Sequence, residues 1–170
     1  MTALDDARIL AEDNQLWQAA DLMMVHSTTP AEQWDLPAGV DPLEVAAGWL
    51  ELLDALESDG AEVAENTPPR TLRWAQWHTL QGQRTMELNF PGRAIEHFEL
   101  AAGLFQSEGL AFPACPLLGN IAQCQLELDD VAAAEEALER ARAITRTLPE
   151  ARQRYRQQLD QIAAEIAAKI

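Results

Sequence analysis

The sequence predicts an all-α fold, a stack of antiparallel helix hairpins with about seven helices in a single domain, 1–170. Three observations carry this expectation. First, sliding residues 75–108 forward by forty positions lays them over 115–148 with identities at Gln83/Gln123, Glu87/Glu127, Leu88/Leu128, Ala94/Ala134, Glu96/Glu136, Glu99/Glu139 and Ala101/Ala141. Second, Ala94, Phe98, Ala101 and Phe105 fall on one helical stripe, and Ala134, Leu138, Ala141 and Thr145 repeat its spacing. The order small, large, small lets a second helix approach at the alanines while the bulky side chain fills the gap one turn on. One such hairpin cannot bury both faces, so neighbours must stack. Third, Asp41-Pro42 and Pro91 place proline where a first helical turn accepts it, and apolar stripes of helical period follow.

From Thr2 to about Val25 the chain reads as one helix. Ile9, Leu16 and Met23 recur every seven residues, as do Leu10, Trp17 and Met24, while Asp5 and Asp6 suit the positive end of the dipole. His26-Ser27-Thr28-Thr29-Pro30 ends it, and 31–41, with Trp34 and Pro37-Ala38-Gly39, is a loop with room for one helical turn at its start. Asp41 then caps a helix to about Ser58, in which Ala46, Leu50 and Leu53 reproduce the later stripes. Residues 1–58 thus form a divergent acidic hairpin. Residues 58–70, with Asp59-Gly60 and Thr67-Pro68-Pro69, are the clearest linker, and a domain boundary, if there is one, falls here. A helix over Leu72–Asn89 and another from Pro91 to about Ser107 make the repeat 70–108, closed by Glu108-Gly109. Pro113 and Pro116 sit early in a helix reaching Leu128, and Asp129 or Asp130 caps the helix through Thr147, giving the repeat 113–148. Pro149 separates off a last helix, 150–170, whose Tyr155, Leu159, Ile162, Ile166 and Ile170 form one stripe. That stripe either seals the open end of the stack or pairs with another chain.

The segment Leu118-Gly119-Asn120-Ile121-Ala122-Gln123 through Ala134-Glu135-Glu136-Ala137-Leu138-Glu139-Arg140-Ala141 resembles the tetratricopeptide repeat (TPR) family. In the first repeat Gly82, Ala94, Phe98 and Ala101 match the same pattern, whereas His78 replaces the expected large aromatic and Asn89-Phe90-Pro91-Gly92 replaces the usual short Gly-Asp turn. The forty-residue period exceeds the family's usual length of about thirty-four and is similar to its longer-helix variants. The resemblance implies a right-handed solenoid that binds a protein or peptide in a groove lined by the first helix of each repeat. It also implies an adaptor, chaperone-like escort or regulatory scaffold rather than an enzyme.

A formal net charge of −16 and a pI near 4.4 argue against direct nucleic-acid binding, since phosphates would be repelled. The imbalance is local: residues 1–69 hold fifteen Asp/Glu against Arg8 alone, whereas 70–170 hold thirteen against eleven basic residues. Between 140 and 156, six arginines face only Glu150. Such runs are either solvated helix faces or a means of recruiting a basic partner or a second copy. The alternative function is therefore an acidic bundle acting as a charge decoy on a basic surface. Two cysteines and no signal-like N-terminus suggest a reduced, cytoplasmic setting. Cys115 and Cys124 lie nine residues apart, on opposite sides of one helix, which suits neither a disulfide nor a shared metal. No apolar run reaches the roughly 18 residues of a membrane span.

Nothing in the sequence assembles an active site, and no cofactor or metal is expected. His26, His78 and His97 are scattered, and there is no phosphate-cradling loop or nucleophile elbow. The partner-binding candidates are those the resemblance places on the two groove helices: Arg73, Gln76, Trp77, Thr79, Gln83 and Arg84 on the first, Asn120 and Gln123 on the second. Trp and Arg are enriched where binding energy concentrates. Of two tryptophans three apart, Trp74 and Trp77, one is normally core. Asn120 stands at one amide position of the clamp with which chaperone-binding relatives grip a carboxylate terminus. Thr79 and Gln83 stand where that clamp needs Lys and Asn, so a ligand of that class is not expected.

Overall fold

Eight α-helices and one 3-10 turn, with 78% of residues helical and no strand, make up the computed structural model, which describes Met1–Ile170 throughout. The helices are α1 (Ala3–Glu12), α2 (Leu16–Ser27), α3 (Pro42–Ser58), α4 (Arg70–Glu87), α5 (Pro91–Ser107), α6 (Ala111–Glu127), α7 (Val131–Thr147) and α8 (Pro149–Lys169). The 3-10 turn, Ala31–Gln33, occupies the start of the expected loop. No helix is long and apolar enough to cross a membrane.

The expected single helix from Thr2 to Val25 is two helices, which raises the count from about seven to eight. Asn14 adopts φ +59. Its N–H reaches Ala11 O and the N–H of Gln15 reaches Leu10 O at 2.8 Å, so the end of α1 is closed by a left-handed residue. Asn enters that region at low cost because its short side chain bonds locally. The seven-residue stripe runs across this break, but Ile9 is 48% exposed and is not part of the core. Elsewhere the entry signals act as read. Thr2 and Asp5 form a reciprocal capping box on α1, and the Asp41 carboxylate accepts from Leu43 N–H at 2.9 Å. Asp130, not Asp129, caps α7 by accepting from Ala133 N–H, while Asp129 takes φ +58 in the turn before it.

The chain divides into two compact units, Met1–Leu80 and Gln81–Ile170, with the division inside α4 rather than in the 58–70 connection. In the first unit α2 packs on α1 and α3 around Leu4, Ala19, Met23, Met24, Leu43 and Leu50, and Trp74, Trp77 and Leu80 of α4 lie against this core.

In the second unit the forty-residue offset extends from sequence to backbone. α5 and α7 are both 17 residues long and start forty positions apart, and α4 and α6 end forty apart. Asn89 and Asp129 both adopt positive φ, +64 and +58. Phe90 N–H bonds Thr85 O as Asp130 N–H bonds Gln125 O. Ala94, Phe98 and Ala101 are fully buried, and Ala134, Leu138 and Ala141 are buried at the matching places. Gly82 makes the first of these packings possible: a Cβ there would lie 2.7 Å from Phe98 Cδ1 and Cε1. The last helix, α8, packs on both α6 and α7, with Leu159, Ile162 and Ile166 in the core and only Ile170 of the stripe fully exposed. Ile162, 3% exposed, therefore belongs to folding before any association of chains.

Candidate functional site

The eight expected groove residues fall in both units and have different surroundings. Arg73 is the clearest correction: it is fully buried and serves the first unit's interior. One helical turn of α3 sets Asp54 and Glu57 on the same side, and the guanidinium forks between them. It donates to Asp54 Oδ1 and Glu57 Oε2 at 2.6 Å each, to Glu57 Oε1 at 2.9 Å and to the Pro68 carbonyl at 3.0 Å. Trp74 Nε1 donates to the other Asp54 oxygen at 2.7 Å, and Arg70 Nε approaches that oxygen at 3.0 Å. The hydrogen bonds from Arg73 hold the Glu57 carboxyl below the usual range against the opposing effect of burial. Burial works against the charge of Arg73, but hydrogen bonds to Glu57 and Asp54 outweigh it and keep the guanidinium firmly protonated.

Trp77 is half-buried, donates from Nε1 to Leu43 O at 2.8 Å and stands edge-on to Trp74 at 5.6 Å between ring centres. It helps fasten α4 to α3, so its alanine variant would read folding as well as binding. Thr79 is half-buried and donates its hydroxyl to Ala75 O one turn back. Gln76 and Gln83 are exposed, and Arg84 is half-buried. On α6, both candidates meet α8. Asn120 Oδ1 accepts from Gln158 Nε2 at 3.3 Å, and Gln123 Nε2 donates to Glu165 Oε2 at 3.1 Å. Any surface built on α6 in the second unit therefore includes the polar side chains of α8.

A feature that sequence reading passed over lies between α7 and α8. Arg142, Thr145, Arg152, Arg156, Leu159 and Asp160 line a hollow of about 200 Å³. A second hollow of about 430 Å³, lined by Leu138, Ala163, Ile166, Ala167 and Ile170 with Glu135 and Glu139, shares Arg142 with it. The arginine surplus over 140–156 was visible in the sequence. Its convergence was not, because Pro149 opens α8 directly after α7 and so brings Arg152 and Arg156 back past Arg142.

No group of three or more His, Cys, Asp or Glu side chains is placed to hold a metal ion. His97 is held below the ordinary histidine value by burial, with Glu96 acting in the opposite direction. Cys115 and Cys124 are free and fully buried, and burial pushes each thiol up to about 11. Only about one part in a thousand is then thiolate at pH 8. Both cysteines are expected to resist iodoacetamide in the folded protein and to react fully in denaturant. Rapid labelling without denaturant, followed by mass spectrometry, would show that the α6 core opens.

Comparison with known protein families, curated proteins and solved structures gives no match.

Proposed function

We propose that the chain is a TPR-like protein-binding module, an adaptor, escort or regulatory scaffold rather than an enzyme. The observation that supports this reading is the forty-residue repeat of the second unit. The ends of α4 and α6, the starts of α5 and α7, the positive-φ turn residues, turn hydrogen bonds and buried small-large-small stripes recur at one offset. Hairpins related in this way present equivalent helix faces side by side, which is how a repeat array makes an extended recognition surface. In this chain the surface takes in Gln83 and Arg84 at the end of α4 and Asn120 and Gln123 on α6, edged by Gln158, Gln161 and Glu165 of α8.

A second reading has its own support. The fifteen acidic residues of 1–69 include many that are exposed, Asp13, Glu32, Glu44 and Glu62 among them, so the first unit offers a basic partner a dense negative surface. The two readings separate under salt. Immobilised full-length chain, exposed to native lysate, is expected to retain a partner when salt rises from about 0.1 M to about 0.5 M, because apolar and hydrogen-bonded contacts are little screened. Exposed Gln83 replaced by Lys should lose that partner. Retention that vanishes with salt and ignores Gln83→Lys would instead make the protein a charge decoy.

A further inference from the structure

We propose that the hollow between α7 and α8 is a binding site for a phosphate group. Three arginines, Arg142, Arg152 and Arg156, line a space of about 200 Å³, and among its lining residues only Asp160 carries an opposing charge. Arg142 has no carboxylate partner. Arg152 donates Nε only to the backbone carbonyl of Thr145, at 3.2 Å. Arg156 meets Asp160 at 3.6 Å in an exposed pair, with the two side chains 78% and 63% accessible, a geometry that contributes little. The contrast with neighbouring arginines is informative: Arg140 forks onto Glu99 at 2.7 and 2.9 Å, and Arg146 is paired with Glu139.

Such convergence is unfavourable without an anion. Arg152 and Arg156 are like charges one turn apart, and Arg152 stands near the positive end of α8, where a cation is disfavoured. A chain carrying −16 has carboxylates to spare, yet Asp160 alone lines this hollow; Glu135 and Glu139 border Arg142 only in the adjoining hollow, and Glu139 is paired with Arg146. The surplus of about two positive charges matches a phosphate dianion better than a single carboxylate. Planar guanidinium forks also bind phosphate oxygens in pairs. The volume suits one such head group, well below the several hundred Å³ of a pocket for a whole organic ligand. The adjoining hollow shares Arg142 and has Leu138, Ile166 and Ala167 in its wall together with Glu135 and Glu139, so an apolar ester substituent has somewhere to lie.

The test is a titration of the full chain with inorganic phosphate at constant ionic strength, following the arginine side-chain Nε–H signals by NMR and the heat by calorimetry. Saturable shifts are expected at Arg142, Arg152 and Arg156 but not at Arg8 or Arg93, with acetate weaker by about tenfold. Arg142→Ala combined with Arg156→Ala should weaken phosphate by about tenfold or more. Both side chains lie outside the core, so the melting curve of this variant serves as the folding control. Hexyl phosphate separates two sources of the same chemistry. Tighter binding than inorganic phosphate marks a phosphate carried on an apolar group, and equal binding marks the free ion. Either result supports the site. The proposal is overturned if no saturable shift appears by about 20 mM phosphate, if all arginines shift alike, or if acetate matches phosphate. Those outcomes would leave the three arginines as solvated helix-face charges.

Discussion

Arg73→Ala is expected to destabilise the first unit by about 3–5 kcal/mol, the usual effect of removing one partner from a buried ion pair. The reason lies in what remains behind. Asp54 is 8% exposed and would be left beside Trp74 with only the exposed Arg70 to answer it, while Glu57 and the Pro68 carbonyl would lose their donors. Arg73→Lys should recover only part of the loss, because one ammonium cannot reach two carboxylates and a carbonyl in the fork geometry that a guanidinium offers. The measurement is selective. All five tryptophans, Trp17, Trp34, Trp49, Trp74 and Trp77, lie in residues 1–80, so urea unfolding followed by tryptophan fluorescence reports this unit. Acid should act on the same network. Glu57 is depressed in the folded state, so its contribution is complete above the unfolded value near 4.5 and is lost as pH falls through the lower folded value. The fluorescence midpoint in urea should therefore hold steady above about pH 5 and drop below it in the native protein, with a smaller drop in Arg73→Ala. A loss below about 1 kcal/mol for Arg73→Ala would mean that the cluster behaves like a surface ion pair.

Features encoded within one turn or one stripe were legible in the sequence. Asp41-Pro42 and Pro91 open α3 and α5 where expected, and the alanine-and-bulky stripes are buried. What escaped depends on partners far along the chain. Arg73 looked like a binding residue because nothing near it signals burial. Its carboxylates lie 16 and 19 residues upstream, across a linker, and only the packing of α4 on α3 reveals them. Asn120 and Gln123 are likewise engaged by residues about forty positions away on α8. The missed break at Asn14 has a different cause: a seven-residue periodicity cannot tell one long helix from two helices whose stripes stay in phase. A more local cue was present in Asp13-Asn14, since Asn is one of the few residues that enters the left-handed region readily.

The packing of the first hairpin yields the other large expected effect. Phe98→Ala should destabilise the second unit by about 3–5 kcal/mol, because the ring is fully buried and its removal leaves a cavity in the core. Gly82→Ala should also destabilise, by a smaller amount. The added Cβ meets the ring at 2.7 Å, an overpacking strain of about 1–3 kcal/mol, partly offset by alanine's better helix propensity, worth about 1 kcal/mol. Forty residues on, the same two places hold Ala122 and Leu138, both buried. One hairpin thus combines no side chain with a ring, and the other combines a methyl group with a smaller branched chain. If the two hairpins share one packing geometry, installing the second pair in the first should work. Gly82→Ala with Phe98→Leu should lose less than the sum of the single losses, by about 1 kcal/mol or more in a double-mutant cycle. The second unit contains no tryptophan, so the cycle is read by far-UV circular dichroism in urea. Strict additivity would mean that Gly82 and Phe98 do not share the space that Ala122 and Leu138 share. The correspondence between the hairpins would then reach the backbone but not the core, and a recognition surface inferred from their equivalence would lose its footing.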